Sequence, residues 1–278
     1  MQISKLTNLQ IVKSTNYKKK VASDLHHTAT TEYLCCVPTL EDFSGAGRVG
    51  LAAANVQLFY YIPNFLREMF KKNSNTPSPT PLYLDLHSHT QYASADTLVI
   101  RNQYPLTADP SLPFSVGIHP WFLDNWQAQL EAIATLASHP NCWAIGECGI
   151  DKNTSTPLPL QQQIFTEQIA IAEALQKTLI IHCVKAYSEI IALRQRTQAR
   201  QLWVLHGFHK NLPTAQALLS HGIALSFGAA LLHDPKLQQV FQTLYPHYRN
   251  YFFFETDDAE LNVKTIYQFA EHLKATQK

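Results

Sequence analysis

Residues 82–89 read LYLDLHSH. A short run of leucine and tyrosine, bounded by proline before and ending in two histidines, has the make-up of a buried strand that stops at polar side chains. The same figure recurs along the chain: TLVIRN (97–102), FSVGIH (114–119), CWAIGE (142–147), TLIIHC (178–183), LWVLHG (202–207), GIALSF (222–227) and YFFFET (251–256). Longer stretches of helical composition separate most of them, at 125–138, 159–177, 188–196, 214–221, 235–244 and 262–274. Apolar runs alternating with helices predict a parallel sheet with covering helices. Eight such strands predict an α/β fold, a TIM-type (β/α)8 barrel. The gap between the first two runs is too short for a full helix, so the barrel is expected to be abbreviated.

Outward from this region the pattern changes. Residues 71–81 read KKNSNTPSPTP, a composition that neither packs nor pairs its backbone, and it is read as an extended linker. The chain is therefore divided into residues 1–81, a poorly structured or partly helical N-terminal extension with no assigned function, and residues 82–278, the barrel. Helix-compatible patches lie at 52–72. Residues 49–66 carry no charge, but Asn55, Gln57, Pro63 and Asn64 interrupt them and the length barely spans a bilayer, so no membrane insertion is expected.

The 278-residue chain is 46% hydrophobic and 15% charged, ordinary for a globular protein. Residues 1–81 hold nine basic and five acidic side chains; the rest holds thirteen and sixteen. A net negative barrel argues against gripping long nucleic acid, which needs many cationic contacts, but not against a site that holds one or two phosphates through metal ions. The five cysteines form no C-x-x-C pair, and MQISKLTNLQ lacks the apolar core of a secretion signal. Both suit a cytoplasmic protein with free thiols.

The positions of the polar residues carry the functional signal. His87 and His89 end the first run, His119 the third, Glu147 the fourth, His182 the fifth and His206 the sixth, while Asp257 follows the eighth. In a barrel these strand ends form one rim, where active sites sit. Imidazoles and carboxylates meeting there are what a divalent cation requires. Two residues apart on a strand, His87 and His89 point the same way, and alternation puts Asp85 on their face, one layer deeper.

Six motifs, DLHSH (85–89), GIHPW (117–121), GECGID (146–151), IIHC (180–183), HGF (206–208) and ETD (255–257), resemble in order those of TatD-type metal-dependent hydrolases, which are amidohydrolase-like barrels. The resemblance covers nearly all of residues 82–278. It implies two divalent ions, zinc, manganese or magnesium: His87, His89 and Asp257 on one, His182 and His206 on the other, and Glu147 bridging both. It implies a nuclease of DNase type, often a 3′ exonuclease, acting on nucleic acid ends or small phosphodiesters, with Asp257 and Glu147 catalytic and Asp257 doubling as proton shuttle. Alternatives on the same fold are an ester or amide hydrolase such as an aminoacyl-tRNA deacylase, or a catalytically silent scaffold. Two positions depart from the pattern. Val184 stands where many relatives carry arginine, followed by Lys185, a point charge and not a fork. Thr256-Asp257-Asp258-Ala259 lacks the common proline.

The remaining residues leave choices open. His119 is expected to contact substrate or to cap a loop, Lys185 to meet a phosphate or simply to be solvated, and Trp121 to stack on a base or to wall the pocket against Pro120. Asp85 is read as supporting the ligands or as a buried carboxylate on backbone, and Glu255 as sharing the face of Asp257. Asp151 is expected to fix the loop after strand four. Cys148 and Cys183, one residue past ligands, are expected to turn toward the helices as packing residues.

Overall fold

In the computed structural model, which describes residues 82–90, 92 and 94–276, the eight expected strands form one all-parallel sheet in sequence order. The expectations for residues 1–81, including the linker boundary, lie outside the described residues. The strands are β1 (Tyr83–Ser88), β2 (Thr97–Gln103), β3 (Phe114–Val116), β4 (Cys142–Asp151), β5 (Thr178–Val184), β6 (Trp203–Leu205), β7 (Ile223–Phe227) and β8 (Phe252–Phe254). The sheet curls until its ends meet at the rim. Ser88 pairs in parallel with Asp257; His89 N donates to Asp257 O at 3.0 Å and Asp257 N to His87 O at 2.9 Å.

The barrel is abbreviated as expected. Among the described residues no helix lies between β1 and β2 or between β2 and β3. Helix α1 (Trp126–Leu136) follows β3, α2 (Leu158–Leu175) follows β4, α3 (Tyr187–Thr197) follows β5 and α4 (Leu212–Ser220) follows β6. After β7 come a single turn, α5 (Ala230–His233), and α6 (Pro235–Tyr248); α7 (Val263–Ala275) follows β8. The starts of the last helices are written in their caps: Asn211, Asp234 and Asn262 accept backbone N–H groups at the heads of α4, α6 and α7. Helix α6 runs past Leu244 through Pro246, whose ring takes one backbone N–H out of the helix ladder. Among the described residues no helix is long and apolar enough to cross a membrane.

Both faces of the sheet are buried, so the strands read as continuous apolar runs. Phe114, Ile145, Leu179, Ile181, Leu205, Leu225 and Phe254 pack outward against the helices. Leu84, Leu86, Ile100, Ala144, Ile180, Val204, Ala224 and Phe253 fill the barrel floor. Cys148 and Cys183 lie in the outer layer, away from the mouth.

Two irregularities set what the mouth receives. Between Asp85 and Ser88, β1 advances three residues while β2 advances two. Between Ile145 and Cys148, β4 likewise gains one residue on β5. Such bulges re-aim side chains beside active sites. The first corrects the expected facing of Asp85. Its neighbours Leu84 and Leu86 both belong to the inner floor, so Asp85 takes the opposite face, and the extra residue brings His87 and His89 back to the mouth. The second leaves Ile145 and Cys148 both facing the helices and turns Glu147 inward.

Candidate metal centre

Glu147 is the hub of the mouth. It is 4% exposed, and its two oxygens face different partners. Oε2 lies 3.6 Å from His87 Nε2 and 3.6 Å from His89 Nε2. Oε1 lies 2.7 Å from His182 Nδ1, 2.9 Å from His206 Nε2 and 3.2 Å from His119 Nε2. Burial opposes its ionisation, but the imidazoles gathered around it, His119, His182 and His206 first, outweigh that and hold the carboxyl far below its ordinary range. Gly149 lets β4 lie close to β5 here: with φ at 143°, a Cβ would stand 2.1 Å from His182 O.

Asp257 completes the first half. Its Oδ1 lies 3.5 Å from both His87 Nε2 and His89 Nε2. The two histidine nitrogens, Glu147 Oε2 and Asp257 Oδ1 are thus separated by 3.5–3.6 Å in all four histidine–carboxylate pairs. That is too long for hydrogen bonding. It matches donors set tetrahedrally at about 2.1 Å from one cation, which stand about 3.4 Å apart. His87 supplies an independent test. It is fully buried, and neither ring nitrogen has a hydrogen-bond partner. An imidazole orphaned this way is costly unless a cation takes its lone pair. The donors fit a divalent metal.

On the other half, His182 Nδ1 and His206 Nε2 stand 3.3 Å apart beside Glu147 Oε1. Each of these rings has a carboxylate behind it. Asp151 Oδ2 lies 3.2 Å from His182 Nε2, and Glu255 Oε1 lies 3.4 Å from His206 Nδ1, off the line of a good hydrogen bond. A carboxylate behind an imidazole fixes which nitrogen keeps its proton and makes the other a better ligand. His182 therefore presents Nδ1 and His206 presents Nε2. Glu255, fully buried, is held in turn by Gly207 N at 2.6 Å.

His119 is wired differently. Its Nδ1 accepts the Trp121 backbone N–H at 3.1 Å, so in the neutral ring Nε2 carries the proton and faces Glu147 as a donor. Burial lowers its pKa against the pull of Glu147, which favours that neutral form. His119 is thus a poor ligand and a good hydrogen-bond donor. Trp121 is 60% exposed, and its Nε1 donates to Asp151 Oδ2 at 2.7 Å. Lys185 stands exposed just past β5 with a left-handed backbone, φ 56°.

Asp85, on the opposite face, accepts from Thr256 N at 2.9 Å, Thr256 Oγ1 at 2.7 Å and Tyr92 OH at 3.0 Å. Burial nonetheless lifts its pKa to about 6. It touches no metal-type ligand directly; it pins the residue that precedes Asp257.

One residue of the site carries no expectation from the sequence, and another does more than expected. Asn102, at the end of β2, accepts Glu147 N on Oδ1 at 3.0 Å and offers Nδ2 to Glu147 Oε2 at 3.4 Å. Its signal is the same as for the ligands, a polar residue closing an apolar run. Asp151 does brace its loop, through Asn153 N at 2.7 Å, but it is also the partner of His182.

Against known proteins, the family model described as TatD related DNase matches residues 84–266. A protein of Rahnella sp. (strain Y9602) named 3′-5′ ssDNA/RNA exonuclease TatD is 45% identical over 71 residues, 25% of this chain and 27% of that protein. Its namesake in Escherichia coli (strain K12) is 37% identical over 113 residues, 39% of this chain and 43% of that protein. The chain thus spans between about a quarter and a half of the length of these curated relatives. Among solved structures, a TatD homologue of Escherichia coli K12 superposes with a TM-score of 0.58 at 19% identity, over 69% of this chain and 90% of that one. A hydrolase TatD family protein of Entamoeba histolytica gives 0.53 at 14% identity, over 64% and 74%. At such identities these two likenesses speak for the fold, while the family match runs through every strand of the barrel: the chain belongs to the TatD related DNase family.

Proposed function

We propose that this chain is a metal-dependent hydrolase that cleaves phosphodiester bonds at the ends of single-stranded nucleic acid, using two divalent ions. One observation carries the reading: the two oxygens of Glu147 face two separate histidine pairs, His87 with His89 and His182 with His206, which is what a carboxylate shared by two cations needs. The curated relatives, named as 3′-5′ exonucleases on single-stranded DNA and RNA, support the choice of substrate. A donor set of four imidazoles and two carboxylates favours zinc or manganese over magnesium, which prefers oxygen and retained water.

When bound, the pair of ions supplies an acidified water and positive charge for the phosphoryl oxygens. The protein's own groups do the rest. Asp257, whose side chain is 39% exposed, is the carboxylate at the mouth free to take a proton from the attacking water and deliver it to the leaving oxygen. His119 offers its Nε2–H to a substrate oxygen beside Glu147. Lys185 meets an outlying phosphate. Asp85 acts at one remove, holding Thr256 and with it the backbone of Asp257. The buried thiols Cys142, Cys148 and Cys183 are all free, in keeping with a reducing cytoplasm.

The test is direct. The purified protein is stripped with EDTA, reloaded with manganese, zinc or magnesium, and given a 5′-labelled single-stranded oligonucleotide. The expected product is a ladder shortening from the 3′ end, absent without metal. A labelled strand that stays full-length with every ion sinks the phosphodiesterase reading; release of amino acid from aminoacyl-tRNA under the same conditions would replace it.

A further inference from the structure

Among the described residues, five large apolar side chains stand exposed, and all five fall between Tyr104 and Phe122. Leu112 precedes β3, at the opposite end of that strand from the mouth. Tyr104 follows β2 and Trp121 and Phe122 follow β3, on the two rim loops that adjoin His119. Tyr104 is 41% exposed, Trp121 60% and Phe122 49%. This is not loose apolar surface, because the rings of Tyr104, Phe122, His119 and Trp121 pack on one another in a chain. Tyr104 and Phe122 meet with centroids 5.4 Å apart and planes at 90°. His119 stands 5.5 Å from Phe122 and 5.5 Å from Trp121. The cluster is continuous with the donor set, since His119 Nε2 lies 3.2 Å from Glu147 Oε1 and the Trp121 ring lies 6.5 Å from that of His182.

Trp121 is also fixed. Its Nε1–H is taken by buried Asp151, so the indole is anchored by one edge while most of its surface stays open to solvent. An exposed aromatic that leaves its face in water yet is held at its polar edge is pre-organised to receive another flat ring. A net negative charge over residues 82–278 argues against holding a long phosphate backbone by cations alone. Bases offer a second source of affinity for a strand end, since every base has a face to stack.

We infer that Trp121, Phe122 and Tyr104 form a base-stacking ledge that seats the terminal unpaired nucleotides of a single strand while His119 and the metal ligands engage the adjoining phosphodiester. The inference rests on the nucleic-acid reading of the same site. It adds which side of the mouth the strand occupies, and that recognition is of base faces, hence tolerant of sequence and shared by DNA and RNA. It also resolves the role of Trp121: the residue whose edge steadies the Asp151–His182 pair offers its face to substrate.

The experiment measures binding without turnover. Intrinsic tryptophan fluorescence and anisotropy of a labelled strand are followed in EDTA, with a single-stranded octamer and with an abasic octamer of equal length and charge. The expected result is at least about tenfold tighter binding of the base-bearing strand, with quenching that is missing in Trp121→Phe. In the double variant Tyr104→Ala, Phe122→Ala the preference should shrink to within about threefold. Both positions are at the surface, and an unchanged melting temperature confirms the fold. Equal affinity for the two strands overturns the ledge, as does a preference that the double variant leaves intact. Failure of the hydrolase reading is separable: metal-dependent cleavage with no base preference sinks the ledge alone, and base-dependent binding without cleavage with any ion sinks the hydrolase alone.

Discussion

Replacing Asn102 by alanine tests whether the hub carboxylate is placed by its neighbours or merely sits among them. Asn102 is 7% exposed and makes two contacts with Glu147 alone: it accepts the backbone N–H at 3.0 Å and offers its amide to Oε2 at 3.4 Å. The first is a good hydrogen bond; the second, at the limit of length, counts for little. Truncation leaves the buried Glu147 N–H unsatisfied, at about 1 to 3 kcal/mol. The expected loss is therefore about 1 to 3 kcal/mol in metal-free urea unfolding, seen as a lower midpoint at constant slope. Glu147 would also lose one of the groups that aim Oε2 at His87 and His89. Partners of this kind are worth about 10- to 100-fold in metal affinity, so manganese calorimetry should show a drop in that range. Asn102→Asp keeps an acceptor for the same N–H but sets a second carboxylate beside Oε2. Its deficit should therefore be electrostatic and shrink when cations are bound, whereas that of the alanine variant should persist. An alanine variant within about 0.5 kcal/mol and threefold of the parent in both assays would refute the reasoning, because a hub held by the histidines alone would not notice the change.

Three further outcomes follow from the same geometry. Asp257→Asn should keep its fold, since asparagine tolerates the left-handed φ of 53° found there, and should lose about 10²- to 10⁴-fold in turnover while still binding metal; near-normal cleavage would remove Asp257 from proton transfer. Saturating manganese or zinc at about 100 times its dissociation constant should stabilise the protein by about 2.7 kcal/mol, read as a rise in melting temperature that EDTA reverses. Metal titration should resolve two unequal steps, with the tighter weakened about 10- to 100-fold by either Asp151→Asn or Glu255→Gln and the weaker one little changed; equal loss in both steps would deny the pairing of those carboxylates with His182 and His206.

Much of this was legible because the chemistry sits where apolar runs stop. His87, His89, His119, Glu147, His182, His206 and Asp257 each close or follow a strand, and alternation along a parallel barrel turns strand ends into one rim. What stayed hidden has physical causes. Asp85 was placed on the wrong face because a bulge inserts one residue without any mark in composition, and one residue reverses every side chain before it. Asp151 was assigned only to a loop because β4 runs ten residues, far past the apolar stretch that announces it. Asn102 carried the right positional signal but the wrong chemistry to be noticed, as an amide is seldom a metal ligand. The exposed rings of Tyr104 and Phe122 read as ordinary hydrophobic residues, because composition carries no mark of which apolar side chains a loop leaves at the surface.

The two halves of the centre differ in how their imidazoles are backed, and this bears on what each can do. His182 and His206 have Asp151 and Glu255 behind them, which orients the rings, and Glu255 is itself buried and held by Gly207 N. His87 has no partner on Nδ1, and the carboxylate that completes its half, Asp257, is the more open one. A cation between His182, His206 and Glu147 would be held firmly by polarised ligands. One between His87, His89 and Asp257 would be held by unbacked rings and a carboxylate that must also handle a proton. Tight binding suits an ion that orients substrate; looser binding suits an ion whose ligand has to let go during each turnover. The aromatic ledge leads from His119 toward His182, so the strand would arrive over the firm half and leave Asp257 free on the far side of Glu147. On that reading holding and proton transfer would fall on opposite sides of a single carboxylate, Glu147, whose two oxygens face the two histidine pairs.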